Sequence, residues 1–313
     1  MNYYSIILGA VSLGLLWAVM TMGVFITYRI LDYADLTVEG SLVTGAAIAA
    51  KLISEGTDPF VALAAAFIGG CAAGCVTGLL NTVMKMPGLL AGILSMIALY
   101  SVNIRIMGKA NITLLKSRTV YDVLENIGIS NDIAVLIFAV LLNTALVGIL
   151  YWFFTSQLGY AISAAGANRK MGRAQGINTD LMKILALAIS NGLVAMSGGL
   201  IAQYQKYTDV SMGQGAIVIG LASVIIGEVL FYKKGFLGKL VAVVSGAVVY
   251  RLIIAAVIEL GMQPTDLKLF TAITVALALY TPNIKLKLPK PVFKTLKRKE
   301  GVLNEPRVEY SKH

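Results

Sequence analysis

Charge is scarce in this chain. Only 13% of its 313 residues are Asp, Glu, Lys or Arg, about half the share of an ordinary soluble domain. Histidine is rarer still: the single one is His313, the last residue, so histidine-based triads and histidine-ligated metal sites are excluded. Two cysteines are present, Cys71 and Cys75. They sit one helical turn apart in an apolar run, where a disulfide is sterically unfavourable and no metal-ligand set surrounds them, so they are expected to be small packing residues. No G-x-x-x-x-G-K-[ST] stretch occurs anywhere, which excludes ATP hydrolysis by a P-loop in this chain. No carboxylates cluster with metal or acid–base spacing, and no cofactor or catalytic residue is expected in this chain.

What fills the sequence instead is apolar: 58% of it is hydrophobic. These residues fall into nine runs, near 5–28, 41–52, 59–84, 88–104, 133–154, 184–203, 212–230, 237–258 and 267–281. About 20 residues of helix cross the hydrocarbon core of a bilayer, so most of the runs are long enough. The expected fold is all-α, a polytopic transmembrane helix bundle of eight or nine segments. Two segments are short: 41–52 reads as half of a broken helix or a re-entrant one, tolerated only where protein or a cavity shields the backbone, and 267–281 is the other. The first run lacks a basic leader and is read as a retained helix. The membrane-spanning body is then 1–283, and 284–313 is a basic tail. From Lys285 onward nine Lys or Arg face three Glu, which places +6 of the formal +10 in that tail. After an apolar span such a tail marks the cytoplasmic face of the plasma membrane and contacts anionic lipid rather than nucleic acid.

Several features inside the spans carry meaning. Gly70, Gly74 and Gly78 repeat every fourth residue, a pattern that lets two helices approach closely in lipid. Tyr33-Ala34-Asp35-Leu36-Thr37-Val38 echoes Tyr207-Thr208-Asp209-Val210-Ser211-Met212, and each precedes a short Gly/Ala-rich run. Inverted repeats with interrupted helices frame transporter binding sites in this way. Asp35, Thr37, Glu39 and Ser41 are candidates for lining or gating a solute path at the helix break; the bland alternative is a solvated face that also takes in Asp32. Arg251 lies midway between Lys239 and Glu259, deep in an apolar run. It is either a pathway cation for a carboxylate-bearing solute or half of an internal pair. Glu228 is read chiefly as a structural ion-pair or hydrogen-bond partner.

The 159–183 stretch, GYAISAAGANRKMGRAQGINTDLMK, is a compact basic surface between two spans. Its Gly166-Ala167-Asn168 and Gly176-Ile177-Asn178 resemble the cytoplasmic coupling loop of ABC-importer permeases of the branched-chain amino acid and ribose type. Thr77–Asn81 through Lys85–Leu90 and Asp35–Gly40 are similar to two further segments of that family, in family order. Glu39 stands where the family often has glycine, and Gly227-Glu228 where a Gly-Gly pair is common. The resemblance implies a permease that carries an amino acid, or else a sugar or nucleoside, by alternating access. It further implies a second permease copy or homologue, ABC ATPase subunits that bind the ATP, and an extracytoplasmic solute-binding protein. Gly166, Asn168, Arg169, Arg173, Gly176, Ile177 and Asn178 would form the ATPase-coupling loop, with Arg169 and Arg173 as docking cations. The rival reading is an ion-coupled secondary transporter, with Glu228 as its one candidate intramembrane acid.

Overall fold

The computed structural model of the chain describes residues 3–115, 117–122, 131–231 and 235–259, together with positions 269, 272 and 273. The basic tail and nearly all of the expected 267–281 segment lie outside the described residues. Among the described residues, ten α-helices and two short strands follow one another in the order α1 (Tyr3–Phe25, continued by a π turn at Ile26–Ile30), α2 (Thr37–Ser54), α3 (Pro59–Thr82), α4 (Gly88–Met107), β1 (Asn111–Thr113), α5 (Asn131–Phe154), α6 (Gln157–Ala167), α7 (Arg169–Ala174), α8 (Thr179–Gln205), β2 (Tyr207–Asp209), α9 (Ala216–Leu230) and α10 (Phe236–Glu259). Six of them, α1, α3, α4, α5, α8 and α10, are long and apolar enough to cross a membrane. The protein is a polytopic helical bundle.

Helix α8 is its axis, and its neighbours give the level of everything else. Ser197 and Ser190 donate to the carbonyls of Leu16 and Gly23, so α1 runs antiparallel to it. A Cβ on Gly70, Gly74 or Gly78 would meet Asn191, Leu187 or Ile184 at 2.3, 2.2 and 3.0 Å. The small-residue stripe of α3 thus lies backbone to backbone on α8, also antiparallel, as the four-residue spacing predicts. The two ends of the bundle are chemically distinct. One carries α6 and α7; the other carries the antiparallel β1–β2 ribbon, with Asn111 opposite Asp209.

Helices α2 and α9 start inside the bundle rather than at an end. Ser41 meets Asn191, halfway along α8, and Gly45 and Gly198 then bring α2 and α8 together toward the ribbon end. The α9 helix begins beside Glu39, to which the Gly215 N–H donates, and runs the opposite way, passing Val24 at Gly220 and reaching Arg29 at Glu228. The half-helix expected over 41–52 therefore extends back to Thr37, and the break before it falls at 31–36. Thr37–Gly40, polar enough to read as linker, form the buried first turn of an 18-residue helix.

The two breaks share a local device. Asp35 accepts from the Thr37 N–H (3.0 Å) and Asp209 from the Ser211 N–H (2.7 Å), each a side-chain turn that stops the chain before a helix. Both follow a long helix, α1 or α8, and these two are antiparallel. The echo in sequence corresponds to two inverted units, each a long helix, an Asp turn and a helix that starts at mid-bundle.

Candidate functional site

The residues expected along a solute path do not behave alike. Asp35, Thr37 and Ser41 are buried to 2% exposure or less and belong to one polar knot. Asp35 accepts from Asn191 Nδ2 (2.7 Å), Ser41 Oγ donates to Asn191 Oδ1 (2.7 Å), and Thr37 Oγ1 lies 2.9 Å from Thr77 Oγ1, which donates to Ser95 Oγ (2.7 Å). Four helices, α2, α3, α4 and α8, are tied at the break by these bonds. In an apolar bundle such groups bind each other because the alternative is an unsatisfied dipole. The solvated-face alternative fails for Asp35, although Asp32 beside it is exposed.

Glu39 alone of the five borders an opening. A cavity of about 370 Å³ lies between α2, α4 and the loop before α9, lined by Glu39, Met96, Ile97, Tyr100, Asn103 and Gln214 among others. Glu39 Oε1 accepts from the Gly215 N–H at 2.9 Å, and a Cβ on Gly213 would meet the Glu39 carbonyl oxygen at 2.2 Å. The carboxylate thus sits in the first turn of α2 and at the N-terminus of α9, where two sets of free backbone N–H groups favour a negative charge. Arg251 stands apart. Its guanidinium carbon is 4.3 Å from the Trp17 ring centroid, between α10 and α1, and it lines neither this cavity nor the one described next.

A second cavity, of about 770 Å³, opens at the α6–α7 end, bordered by Arg29, Asp32, Gly166, Glu228 and Lys239 among others. Arg29 and Glu228 make a two-pronged ion pair there, with Nε to Oε1 at 2.7 Å and Nη2 to Oε2 as the second prong. Glu228 thus pairs across the bundle with α1. Its near neighbours in sequence, Lys233 and Lys234, lie outside the described residues.

The loop beside this cavity is a built object. Asn168 caps α7 through the Met171 N–H and Asn178 caps α8 through the Leu181 N–H, both at 3.1 Å. Gly176 has φ of +81°. Its N–H donates to the Arg173 carbonyl and that of Ile177 to the Gly172 carbonyl, the paired bonds that close a helix on a left-handed residue. Arg169 and Arg173 both reach Asp180 at 2.8 Å, so one carboxylate holds two exposed guanidinium groups in a fixed array. Gly166 is required by contact, because a Cβ there would come within 1.9 Å of the Ile30 carbonyl oxygen. The end of α6 therefore rests on the π turn of α1.

Sequence reasoning missed Asn191, Thr77, Ser95, Asn103 and Arg29. A lone Asn in the middle of an apolar run was the one available signal for Asn191; the rest depend on partners far away in the chain.

Comparison with known proteins agrees with this architecture. The family model described as "Branched-chain amino acid transport system / permease component" matches residues 6–281. The tyrosine transport system permease protein of Clostridioides difficile (strain R20291) is 41% identical over 284 residues, covering 91% of this chain and 94% of that protein. Uncharacterized protein RP368 of Rickettsia prowazekii (strain Madrid E) is 33% identical over 279 residues, covering 88% and 97%. The ribose import permease protein RbsC of Escherichia coli (strain K12) is 24% identical over 251 residues, covering 80% and 77%. No solved structure matches the chain. With the match running through nearly every described helix, the chain belongs to the branched-chain amino acid transport system / permease component family.

Proposed function

We propose that this permease admits a free amino acid to the cytoplasm as the membrane subunit of an importer powered by a separate ATPase. The observation that carries the reading is the α6–α7 loop: exposed, basic, capped at both helices and seated through Gly166 on Ile30. A loop held this rigidly transmits a push rather than absorbing it. ABC ATPase subunits would dock there, a binding protein would deliver solute at the ribbon end, and a second permease copy would complete the path. That the tyrosine permease is similar over nearly its whole length, and the ribose permease at lower identity, supports an amino acid as cargo.

The geometry offers a route for the work. Pressure on α6 reaches the π turn of α1 and, through the linker at 31–36, the first turn of α2. The Arg29–Glu228 pair carries the same displacement into α9. Both half-helices begin at Glu39, so one movement at the loop alters the surroundings of the 370 Å³ cavity. This is a two-state element biased by ATP, the form alternating access requires.

The test is co-purification from gently solubilised membranes. Wild type is expected to carry an ATPase subunit, and an Arg169→Glu/Arg173→Glu variant to lose it while keeping its thermal stability. Asp180→Asn, which leaves both arginines in place, is expected to retain the ATPase. Absence of any ATPase from wild type would instead favour an ion-coupled transporter.

A further inference from the structure

We propose that the cavity beside Glu39 is a recognition site for the ammonium group of an amino acid bearing an apolar or aromatic side chain, an inference that rests on the importer reading above. The cavity presents an unmet acceptor. Glu39 spends one oxygen on the Gly215 N–H, and its second oxygen has no protein partner among the described residues. Asn103, another lining residue, donates its Nδ2 to the Gly40 carbonyl at 3.2 Å, and its Oδ1 is closed off from the open space.

The chemistry selects the donor. Two half-helix N-termini alone would attract an anion, but Glu39 already answers them and brings its own charge. What remains is a carboxylate at the edge of an open space, which a group with several N–H bonds and a positive charge satisfies. Beside the polar Ser101 and Gln214, the rest of the wall is mostly apolar: Met96, Ile97 and Tyr100 line it from α4, Tyr100 lying three and four residues beyond the other two. A ring or a branched alkyl chain fits that apolar part of the wall. A volume of about 370 Å³ lies at the small end of ligand cavities, the size class of one amino acid.

Full-length permease in lipid nanodiscs would be titrated with L-tyrosine, tyramine (ammonium kept, carboxylate removed) and hydroxyphenylpropanoate (carboxylate kept, ammonium removed), with thermal unfolding as the readout. Both amines are expected to raise the unfolding midpoint and the deaminated acid to have no effect. Glu39→Gln is expected to weaken L-tyrosine binding by about tenfold to a hundredfold, the loss of one charge-assisted hydrogen bond, and Glu39→Asp to recover part of it. Equal binding of the deaminated acid, binding of D-ribose but of neither amine, binding of no ligand, or an unchanged affinity in Glu39→Gln would each overturn the proposal. The ligand series on wild type decides by itself if the variants fail to fold. ATPase co-purification from the same preparations separates the two readings: an ATPase present without amine binding sinks the cavity proposal alone, and amine binding without an ATPase sinks the importer alone.

Discussion

Arg29 and Glu228 stand 199 residues apart in the chain and close the α6–α7 end of the bundle with two hydrogen bonds. Their side chains are 51% and 21% exposed, so the pair adds little to stability, and its value lies in what it joins. Arg29 belongs to the π turn that bears α6, and Glu228 is at the end of α9. Replacing either by Ala is expected to slow transport while leaving folding and ATPase association intact. The charge-swapped Arg29→Glu/Glu228→Arg protein is expected to regain part of the rate. A double-mutant cycle on the uptake rate should give a coupling of about 1 kcal/mol, roughly fivefold; strictly additive losses would mean that the pair transmits nothing. Neither residue could have been matched to the other from the sequence. Glu228 has lysines a few positions away, and only the fold brings it to α1.

At the scale of elements, the contact between α3 and α8 organises the rest. Gly70, Gly74 and Gly78 allow α3 to lie against the α8 backbone, which in turn places Thr77 beside Thr37 and Ser95. Gly74→Leu is expected to force these helices apart, because even a Cβ would sit 2.2 Å from the Leu187 carbonyl oxygen. The cost is that of overpacking, about 1–3 kcal/mol or more, read as a lowered unfolding midpoint in detergent. Gly148→Ala on α5 is the control. A Cβ there meets nothing within 4 Å, and that variant is expected to unfold with wild type; a matching drop in both would show that the α3–α8 contact is not special. The stripe itself was legible because small residues at four-residue spacing have one physical use in an apolar helix. The start of α2 was not. Thr37, Glu39 and Ser41 have the composition of a linker, and only the partners supplied by α3, α8 and the α9 loop make a helix of them.

For the whole molecule, the two inverted units fix which ends oppose each other, but not which end faces the cytoplasm. Helix α8 spans Thr179 to Gln205, about 40 Å at 1.5 Å per residue, so the α7 loop and the β1–β2 ribbon lie on opposite sides of a bilayer. The described basic residues lean only slightly to one end: Arg29, Lys85, Arg169, Lys170, Arg173, Lys183 and Lys239 at the α6–α7 end face Lys51, Lys109, Arg105, Arg118 and Lys206 at the ribbon end. The rule that cytoplasmic loops are richer in Lys and Arg therefore turns on the 284–313 tail. An importer driven from inside requires the α7 loop in the cytoplasm. In a Cys71→Ala/Cys75→Ala background, Thr113→Cys on the ribbon is expected to react with a membrane-impermeant maleimide in intact cells. Gln175→Cys on the loop should react only after the membrane is permeabilised. Both positions are exposed, so burial does not protect either one, and a failure to label in intact cells reports the side of the membrane. The reversed pattern would put the arginine array outside the cell, beyond the reach of any ATPase that consumes cytoplasmic ATP, and would exclude the loop as the point where that energy enters the protein.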